Sequence, residues 1–537
     1  MPAMTTTEEA NEPVQPTARP TRRAGFIAGA LGGLLMTLVL VALRFTLDAQ
    51  ILTEVMADWF TRLLPASVFD FFIEQMGFNA KRMLFVLIFV GQIGVGGLIG
   101  MAYVRYETEA GYADGLVKRA AILTGGIWAV LALVVSPLLG AGVLGSGLPD
   151  GAMAYAGGLL FAVASFSLTL TQIAALAERS GGVGYNASRR DFVQKAAIFS
   201  VIVVVGGVAI QTILTNLSRL APSISGRRAL GVLSTPVTPN DEFYVIGKSA
   251  VLPEFKVETW ALIIQGDGVR NPINITYDQL LAMPAIEEYV TLTCISNPVG
   301  GDFISNALWK GVPLKHILEL ADFDPATERV GFWAADGYFD SFPYEIAMRD
   351  EVIVAYEMNG VRLPAEHGFP ARIIVPGLYG MENVKWLVKM EPVEDSFRGF
   401  WQRRGWQDTA IIKTMSRIDT PANRGKVPVD QIEVAGVAFA GKRGIKRVEV
   451  SVDDGETWRD AKFDAPLSPF TWVIWRLDWP DAMPSDPHIV VRATDGTGAT
   501  QTEKKQGNQP SGPTGYHRVR VFIEEPSPTP TPVGTAG

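Results

Sequence analysis

Tyr289-Val290-Thr291-Leu292-Thr293-Cys294-Ile295-Ser296-Asn297-Pro298-Val299-Gly300-Gly301 changes character at its sixth residue. The first five residues are β-branched, aromatic or aliphatic, the composition of a strand. Asn297 to Gly301 cannot continue it, because proline lacks a ladder amide and paired glycines favour a turn. Cys294 therefore stands where strand gives way to loop, a common place for reactive groups. It is the only cysteine in the chain. An intrachain disulfide is excluded, as is any multi-cysteine zinc or iron–sulfur site. Two roles stay open for it: a small buried hydrophobe, or a thiolate ligand to a soft metal.

Beyond the break, Trp309-Lys310-Gly311-Val312-Pro313-Leu314 leads into a helix expected through Leu320. Farther on stand Ala355-Tyr356-Glu357-Met358-Asn359-Gly360 and His367-Gly368-Phe369-Pro370-Ala371-Arg372. They are followed by Val375-Pro376-Gly377, Asn383-Val384-Lys385-Trp386 and Phe400-Trp401-Gln402-Arg403-Arg404. Upstream lies Pro239-Asn240-Asp241-Glu242-Phe243-Tyr244. Taken singly, Arg372 and Lys385 read as surface charges, His367 and Asn240 as turn residues, and Phe243 and Tyr244 as core.

The succession of these segments, about 170 residues in one order, resembles the sulfite oxidase family of molybdopterin-dependent enzymes. The resemblance implies an α+β molybdopterin domain over 235–404, with Cys294 as the metal ligand and molybdenum-molybdopterin as cofactor. It assigns Asn240, Phe243, Tyr244, His367, Arg372, Asn383, Val384 and Lys385 to cofactor binding. The chemistry agrees: a phosphate favours a planar guanidinium and an ammonium, which Arg372 and Lys385 supply. Backbone amides near Asn383 and Val384 can add donors, and His367 and Asn240 can hydrogen-bond the pterin or its linker. Tyr338, in Ala335-Asp336-Gly337-Tyr338, is a candidate pocket donor and catalytic residue; core or turn tyrosine is its other reading. The implied activity is two-electron oxo transfer on a small molecule, with electrons exchanged with an external protein.

The chain departs from sulfite-oxidising members where they place arginines. Their Phe-Tyr-x-Arg-Asn-His run is here Phe243-Tyr244-Val245-Ile246-Gly247-Lys248, and Pro298-Val299 follows Asn297 where they have an arginine. A dianion needs positive charge in a desolvated pocket, and only Lys248 is offered. Sulfur-compound oxidation and sulfoxide reduction both stay open. A different class, a non-catalytic surface-displayed binding module with a degenerate oxidoreductase domain, would need none of Cys294, Arg372 or Lys385.

The first 220 residues read differently. Ala24–Phe45, Met83–Val104, Ala120–Leu144, Ala152–Leu176 and Ala196–Leu217 are apolar runs of bilayer length, about five transmembrane helices over 21–220. Ile51–Phe78 is amphipathic and could lie in the interface. Basic residues cluster on alternate loops: Arg19, Arg22, Arg23, Arg105, Lys118, Arg119, Arg179, Arg189, Arg190 and Lys195 against Arg44, Arg62, Lys81 and Arg82. That bias puts the N-terminus inside and everything after Leu217 on the extracytoplasmic side of the cell membrane. Ser188-Arg189-Arg190-Asp191-Phe192-Val193-Gln194-Lys195 reads either as a twin-arginine export signal or as a positive-inside pair. The four histidines, His316, His367, His488 and His517, all follow the bundle, so bis-histidine haem is excluded there.

From 425 to 525 the pattern is all-β, with strands expected over Ile432–Ala440, Ile445–Val452 and His488–Ala493. It suggests an immunoglobulin-like sandwich and resembles the family's dimerisation domain, implying a homodimer. Residues 1–20 and the Pro- and Thr-rich stretch 526–537 are expected to be disordered. The net charge of -8 argues against a nucleic-acid partner. The whole reads as a multidomain chain: an all-α transmembrane bundle in the lipid bilayer, an α+β molybdopterin domain and an all-β C-terminal domain.

Overall fold

The computed structural model describes residues 21–47, 50–63, 68, 79–110, 115–148, 152–179, 189–216, 231–247 and 252–526. The expected disorder of 1–20 and of 527–537, and Ser188 and Lys248, lie outside these. Two compact units emerge: Met1–Thr61 with Lys81–Leu217, and Arg62–Ala80 with Ser218–Gly537.

The first unit is helical: Arg22–Leu47, Leu52–Leu63, Asn79–Ala110, Leu116–Val130, Ala152–Arg179 and Arg189–Thr215. Among the described residues, four stretches are long and apolar enough to cross a membrane: Arg22–Thr46, Met83–Tyr106, Leu116–Leu138 and Ala152–Leu176. The fifth expected span falls on the helix Arg189–Thr215, apolar over Phe199–Thr215. The third ends at Leu138 instead of Leu144, because Gly140 and Gly142 turn the chain at φ 87° and 74°. Leu87, Val90, Leu98 and Ile122 point outward and are more than half exposed. Such surface suits lipid and is costly in water. Small residues bring backbones together: a Cβ on Gly29 would stand 2.1 Å from the Gly96 carbonyl oxygen. Arg44, assigned to an outer loop by the charge count, is instead buried in the first helix. Its Nε lies 3.2 Å from Glu54, a partner that compensates its charge.

In the second unit the strands run β1 (Ala261–Ile264), β2 (Ile273–Thr276), β3 (Ile286–Thr293), β4 (Ile304–Pro313), β5 (Arg329–Ala334), β6 (Phe339–Pro343), β7 (Ile353–Met358), β8 (Val361–Arg362), β9 (Arg372–Ile374) and β10 (Leu387–Val393). They form two sheets, β2-β1-β10-β5-β6 and β3-β4-β7-β8, with β9 paired to β7. The helix Leu314–Leu320 follows β4 as expected. Trp309 is fully buried and donates its indole N–H to the Val290 carbonyl, 3.2 Å away on the adjacent strand. Thr293 pairs with Ile304, so residues 294–303 form the loop joining β3 to β4.

The remaining strands are β11 (Met415–Thr420), β12 (Lys426–Pro428), β13 (Val434–Phe439), β14 (Ile445–Ser451), β15 (Arg459–Phe463), β16 (Val473–Leu477), β17 (His488–Asp495), β18 (His517–Arg520) and β19 (Phe522–Glu524). Seven of them join in the order β11-β13-β16-β15-β14-β17-β18. In place of two separate layers the seven strands make one continuous sheet, because β15 pairs with both β14 and β16. Contacts from β11 to β17 and β18 nearly close the sheet: Ser416 Oγ donates to the Val491 carbonyl (3.2 Å), and Ile418 N–H donates to His517 Nδ1 (2.9 Å). The same domain covers the free edge of β3. Thr291 N–H donates to the Phe470 carbonyl at 3.1 Å, and Trp472 N–H to Thr291 Oγ1 at 3.0 Å. An edge paired in this way cannot template aggregation.

Candidate active site

Cys294 leaves β3 with its amide donated to the Phe303 carbonyl (2.9 Å) and its carbonyl accepting Asn297 N–H (3.0 Å). Asn297 Oδ1 in turn accepts Phe303 N–H at 2.9 Å, so the loop closes on itself across Pro298 to Asp302. Cys294 is half-buried against the core cluster that contains Phe243, Tyr244, Leu292 and Phe303, with Ser296 Oγ 3.1 Å from Sγ. Burial pushes the thiol up from its usual range; the Ser296 hydroxyl and loop amides pull the other way. A metal ion at Sγ would deprotonate it outright.

Gly380, the first residue of the single turn Gly380–Glu382, lies beside the cysteine. A Cβ there would be 2.7 Å from Tyr244 Oη, 3.3 Å from the Thr293 carbonyl oxygen and 3.8 Å from Cys294 Cα. Tyr244 thus reaches the cysteine from one side and Gly380 from another. Burial holds the Tyr244 hydroxyl well above its usual range, Cys294 adds to the effect, and Arg372 opposes it. Cys294 and Arg372 therefore act on one phenol.

Tyr244 stacks on Phe243 with centroids 5.5 Å apart, and Phe243 meets His367 and Trp309 edge-on at 5.3 and 5.7 Å. Arg372 lies over Trp309 at 4.9 Å. Its Nη1 donates to the His367 carbonyl (2.9 Å) and its Nη2 to the Asn383 carbonyl (3.1 Å). Arg372 is only 5% exposed, and its Nε has no partner among the described residues. Burial without a matching acid lowers the guanidinium to about 10. Lys385 Nζ donates to the Glu366 carbonyl at 2.9 Å and sits 4.3 Å over Trp386. Gly368, at φ 114°, lets Arg372 and Lys385 converge: a Cβ there would stand 3.1 and 3.0 Å from theirs. His367 is buried and held down to about 3, mainly by burial. Its Nε2 lies 2.8 Å from the Asn240 carbonyl, which assigns the proton to Nε2 and leaves Nδ1 an acceptor.

Four expected binding residues have other partners or places. Asn240 Nδ2 donates to the Met358 carbonyl (3.3 Å) and its Oδ1 accepts from Asn359 (2.7 Å), so only its backbone serves His367. The Asn383 amide likewise donates to the Gly380 carbonyl at 3.2 Å, because the single turn needs that bond. Its side chain ties Val375 to Tyr379 at 2.8 and 3.1 Å. Phe243 is 1% exposed, a core residue behind Tyr244 rather than an open wall. Val384 is buried, and its carbonyl accepts Ile373 N–H at 2.9 Å. Tyr338 Oη lies 2.8 Å from Asp340 Oδ2 and 2.9 Å from the carbonyl of Met381, next to Gly380.

Other residues at the site carry no local signal in the sequence. Tyr379 is pushed up to about 12 by burial and also feels Cys294 and Arg443. Arg417, on β11, donates Nη1 to the Gly301 carbonyl at 2.9 Å and Nε to Asp419 at 2.6 Å. His517 fills the place where a Gly300 Cβ would go, 2.3 Å from its ring. The β-rich domain thus grips the far end of the cysteine loop. Phe400 to Arg404, quoted only as the last segment of the resemblance, is held by stacking, with Arg404 3.5 Å over Phe400.

Comparison with known proteins places these domains. Residues 249–401 match the oxidoreductase molybdopterin binding domain, and residues 408–524 the Mo-co oxidoreductase dimerisation domain. Sulfite oxidase of Gallus gallus is 30% identical over 307 residues, covering 48% of this chain and 66% of that protein. An NADH nitrate reductase of Cichorium intybus is 30% identical over 334 residues, 50% of this chain and 36% of that protein. The chain therefore spans two-thirds or less of the length of these relatives. Among solved structures, the sulfane dehydrogenase SoxCD of Paracoccus pantotrophus aligns with a TM-score of 0.48 and 24% identity, over 55% of this chain and 85% of that one.

Proposed function

The chain belongs to the sulfite oxidase family of molybdopterin-dependent oxidoreductases, with molybdenum cofactor as its implied group, and from that premise we propose that it performs two-electron oxo transfer on a small molecule with Cys294 as the metal ligand. The observation that carries this reading is one continuous cluster: Cys294 and Tyr244 meet at Gly380, Tyr244 stacks on Phe243, and Phe243 packs on His367 and on Trp309, over which the buried Arg372 lies. The residues fit the group. A buried arginine with an orphan Nε and no acid partner among the described residues suits a phosphate, which takes planar bidentate donors. A half-buried thiol on a rigid loop suits a soft metal.

When bound, molybdenum supplies the two-electron chemistry. The protein does the rest. Arg372 and Lys385 hold the charged tail, and neutral His367 offers Nδ1 as an acceptor. Phe303, Asn297 and Arg417 fix the cysteine loop so that Sγ needs no reorganisation. Tyr338 orients a proton-bearing group near the reacting atoms.

We also read the four long apolar helices and the helix Arg189–Thr215 as five crossings that anchor the chain in the cell membrane, with both β-containing domains outside the cytoplasm and the C-terminal domain an immunoglobulin-like dimerisation module. Electrons then pass to an external partner protein. A metal-free binding module is the poorer reading, because it leaves a buried arginine uncompensated at a substantial desolvation cost.

The test is turnover by detergent-solubilised full chain from a host that makes the cofactor. Oxidation of sulfite and reduction of dimethyl sulfoxide are assayed with artificial electron carriers, for wild type and Cys294→Ser. Turnover in one direction by wild type, abolished in the variant, is expected. Equal activity in both proteins, or molybdenum-free wild type, would overturn the assignment.

A further inference from the structure

Behind Tyr338 lies a group of acids that the cofactor-binding residues do not use. Asp340 and Glu382 are both 0% exposed. Asp340 Oδ1 accepts N–H from Ser341 and from Gln402, each at 2.8 Å. Glu382 Oε1 accepts Ala410 N–H at 3.3 Å, and its Oε2 has no partner among the described residues. Asp336 and Asp408 also bear on this group, Asp336 through Tyr338 and Asp408 through both buried carboxyls. The cation acting on Glu382 is Arg329, whose guanidinium is already bonded to Ser341 (3.0 Å) and Asp408 (2.8 Å). Packing is tight: a Cβ on Gly399 would be 2.3 Å from Asp340 Oδ1.

Counting charges bears on the protonation state. The Tyr338 hydroxyl donates to Asp340 Oδ2 (2.8 Å) and faces the Met381 carbonyl (2.9 Å), and the guanidinium nearest the two buried carboxyls is already shared with Asp408 and Asp395. We infer that Asp340 and Glu382 are a proton-sharing carboxyl pair that serves Tyr338 as the proton reserve of the oxo-transfer site. Two buried carboxyls this poorly compensated cannot both ionise. The pair acts through Tyr338, whose carbonyl partner adjoins Gly380 and so Cys294.

The chemistry needs such a reserve, and here the inference rests on the oxo-transfer reading of the site. Adding one water oxygen to a substrate releases two protons and two electrons; removing an oxygen as water consumes both. The electrons go to or come from an external one-electron carrier. The protons must cross a buried wall, where a carboxyl that holds one at neutral pH is the usual agent.

Asp340→Asn keeps shape and an N–H donor to Tyr338 but removes the transferable proton. Glu382→Gln does the same for the partner. Infrared spectra of the full chain, with and without cofactor, in H2O and D2O, are recorded from about pH 5 to about pH 9. Wild type shows the carbonyl band of a buried protonated carboxyl at neutral pH, shifted in Asp340→Asn and absent when Asp340→Asn and Glu382→Gln are combined. Steady-state turnover in the same variant falls about 10- to 100-fold in kcat with KM unchanged, and its solvent isotope effect rises, while molybdenum content stays at the wild-type level. If Asp340→Asn fails to fold, Glu382→Gln carries the same tests. Molybdenum present with no such band, or an Asp340→Asn enzyme with wild-type kcat and pH profile, overturns the pair alone. The band without molybdenum overturns the site reading and the reserve with it.

Discussion

The site has two ends of opposite character. At one, Arg372 and Lys385 converge through Gly368 on carbonyls and aromatic faces, and no acid among the described residues pairs with the Arg372 guanidinium. At the other, Asp340 and Glu382 are buried with a single arginine already bonded elsewhere. Cys294, Tyr244 and Gly380 lie between them. Burial penalises charge of either sign, and the two ends meet the penalty differently. The cationic end keeps its charge and waits on an anion; the acidic end keeps a proton. A polyanionic tail fits the first, and proton traffic fits the second. The same contrast speaks against a dianionic substrate approaching from the acidic side.

Breaking the centre has the largest effect. Cys294→Ser reduces turnover to background, measured with the artificial carriers. Breaking the cationic end comes next. Arg372→Met removes donors to a charged group, about 1.5–3 kcal/mol per hydrogen bond, and pterin released from purified protein drops by about tenfold or more. Arg372→Lys retains more of it, because charge survives while the planar fork does not. Retention of full pterin content by Arg372→Met would mean the phosphate lies elsewhere. Gly380→Ala forces a methyl against Tyr244 Oη, within 2.7 Å. Overpacking of this kind costs about 1–3 kcal/mol, read as a lower melting temperature, with kcat reduced as well.

The acidic end is sharpened by pH. Asp340 is raised from 3.8 to about 7 by burial. Its folded-state pKa lies above the unfolded one, so the folded state binds more protons between those values. Stability therefore falls as pH climbs from 3.8 to about 7, and Asp340→Asn flattens that slope in denaturant titrations. His367 gives the opposite sign. Held down to about 3 from 6.5, it favours the folded state above 6.5 and withdraws that support as pH falls toward 3. The smallest effect is at the surface. Breaking the exposed Lys462–Asp478 pair of the β-rich domain leaves the melting temperature unchanged.

Much of the centre was legible because it is local. Cys294 at a strand end follows from five residues of β-type composition and a Pro-Gly break, and β3 ends at Thr293. Strands β13, β14 and β17 fall within about two residues of the expected bounds. Arg372 and Lys385 stood out through the order of their motifs, and their convergence depends on Gly368, which was quoted without a role. The acidic end was not legible. Asp340 and Glu382 are 42 residues apart in sequence numbering and meet around Tyr338 only when β6 and the Gly380–Glu382 turn pack together. A carboxylate in a strand reads as a solvated face unless burial is known. Arg417 was hidden for the same reason: it sits on another domain's strand and reaches back to Gly301. Arg44 shows the limit of counting charges along loops, since a buried partner, Glu54, lets it stay inside the helical unit.

The bond on which the rest depends is that between Cys294 Sγ and molybdenum. Molybdenum-edge X-ray absorption on purified full-length wild type and Cys294→Ser measures it directly. The account predicts a metal with sulfur neighbours in wild type and one sulfur fewer in the variant. An identical sulfur shell in both proteins would contradict it.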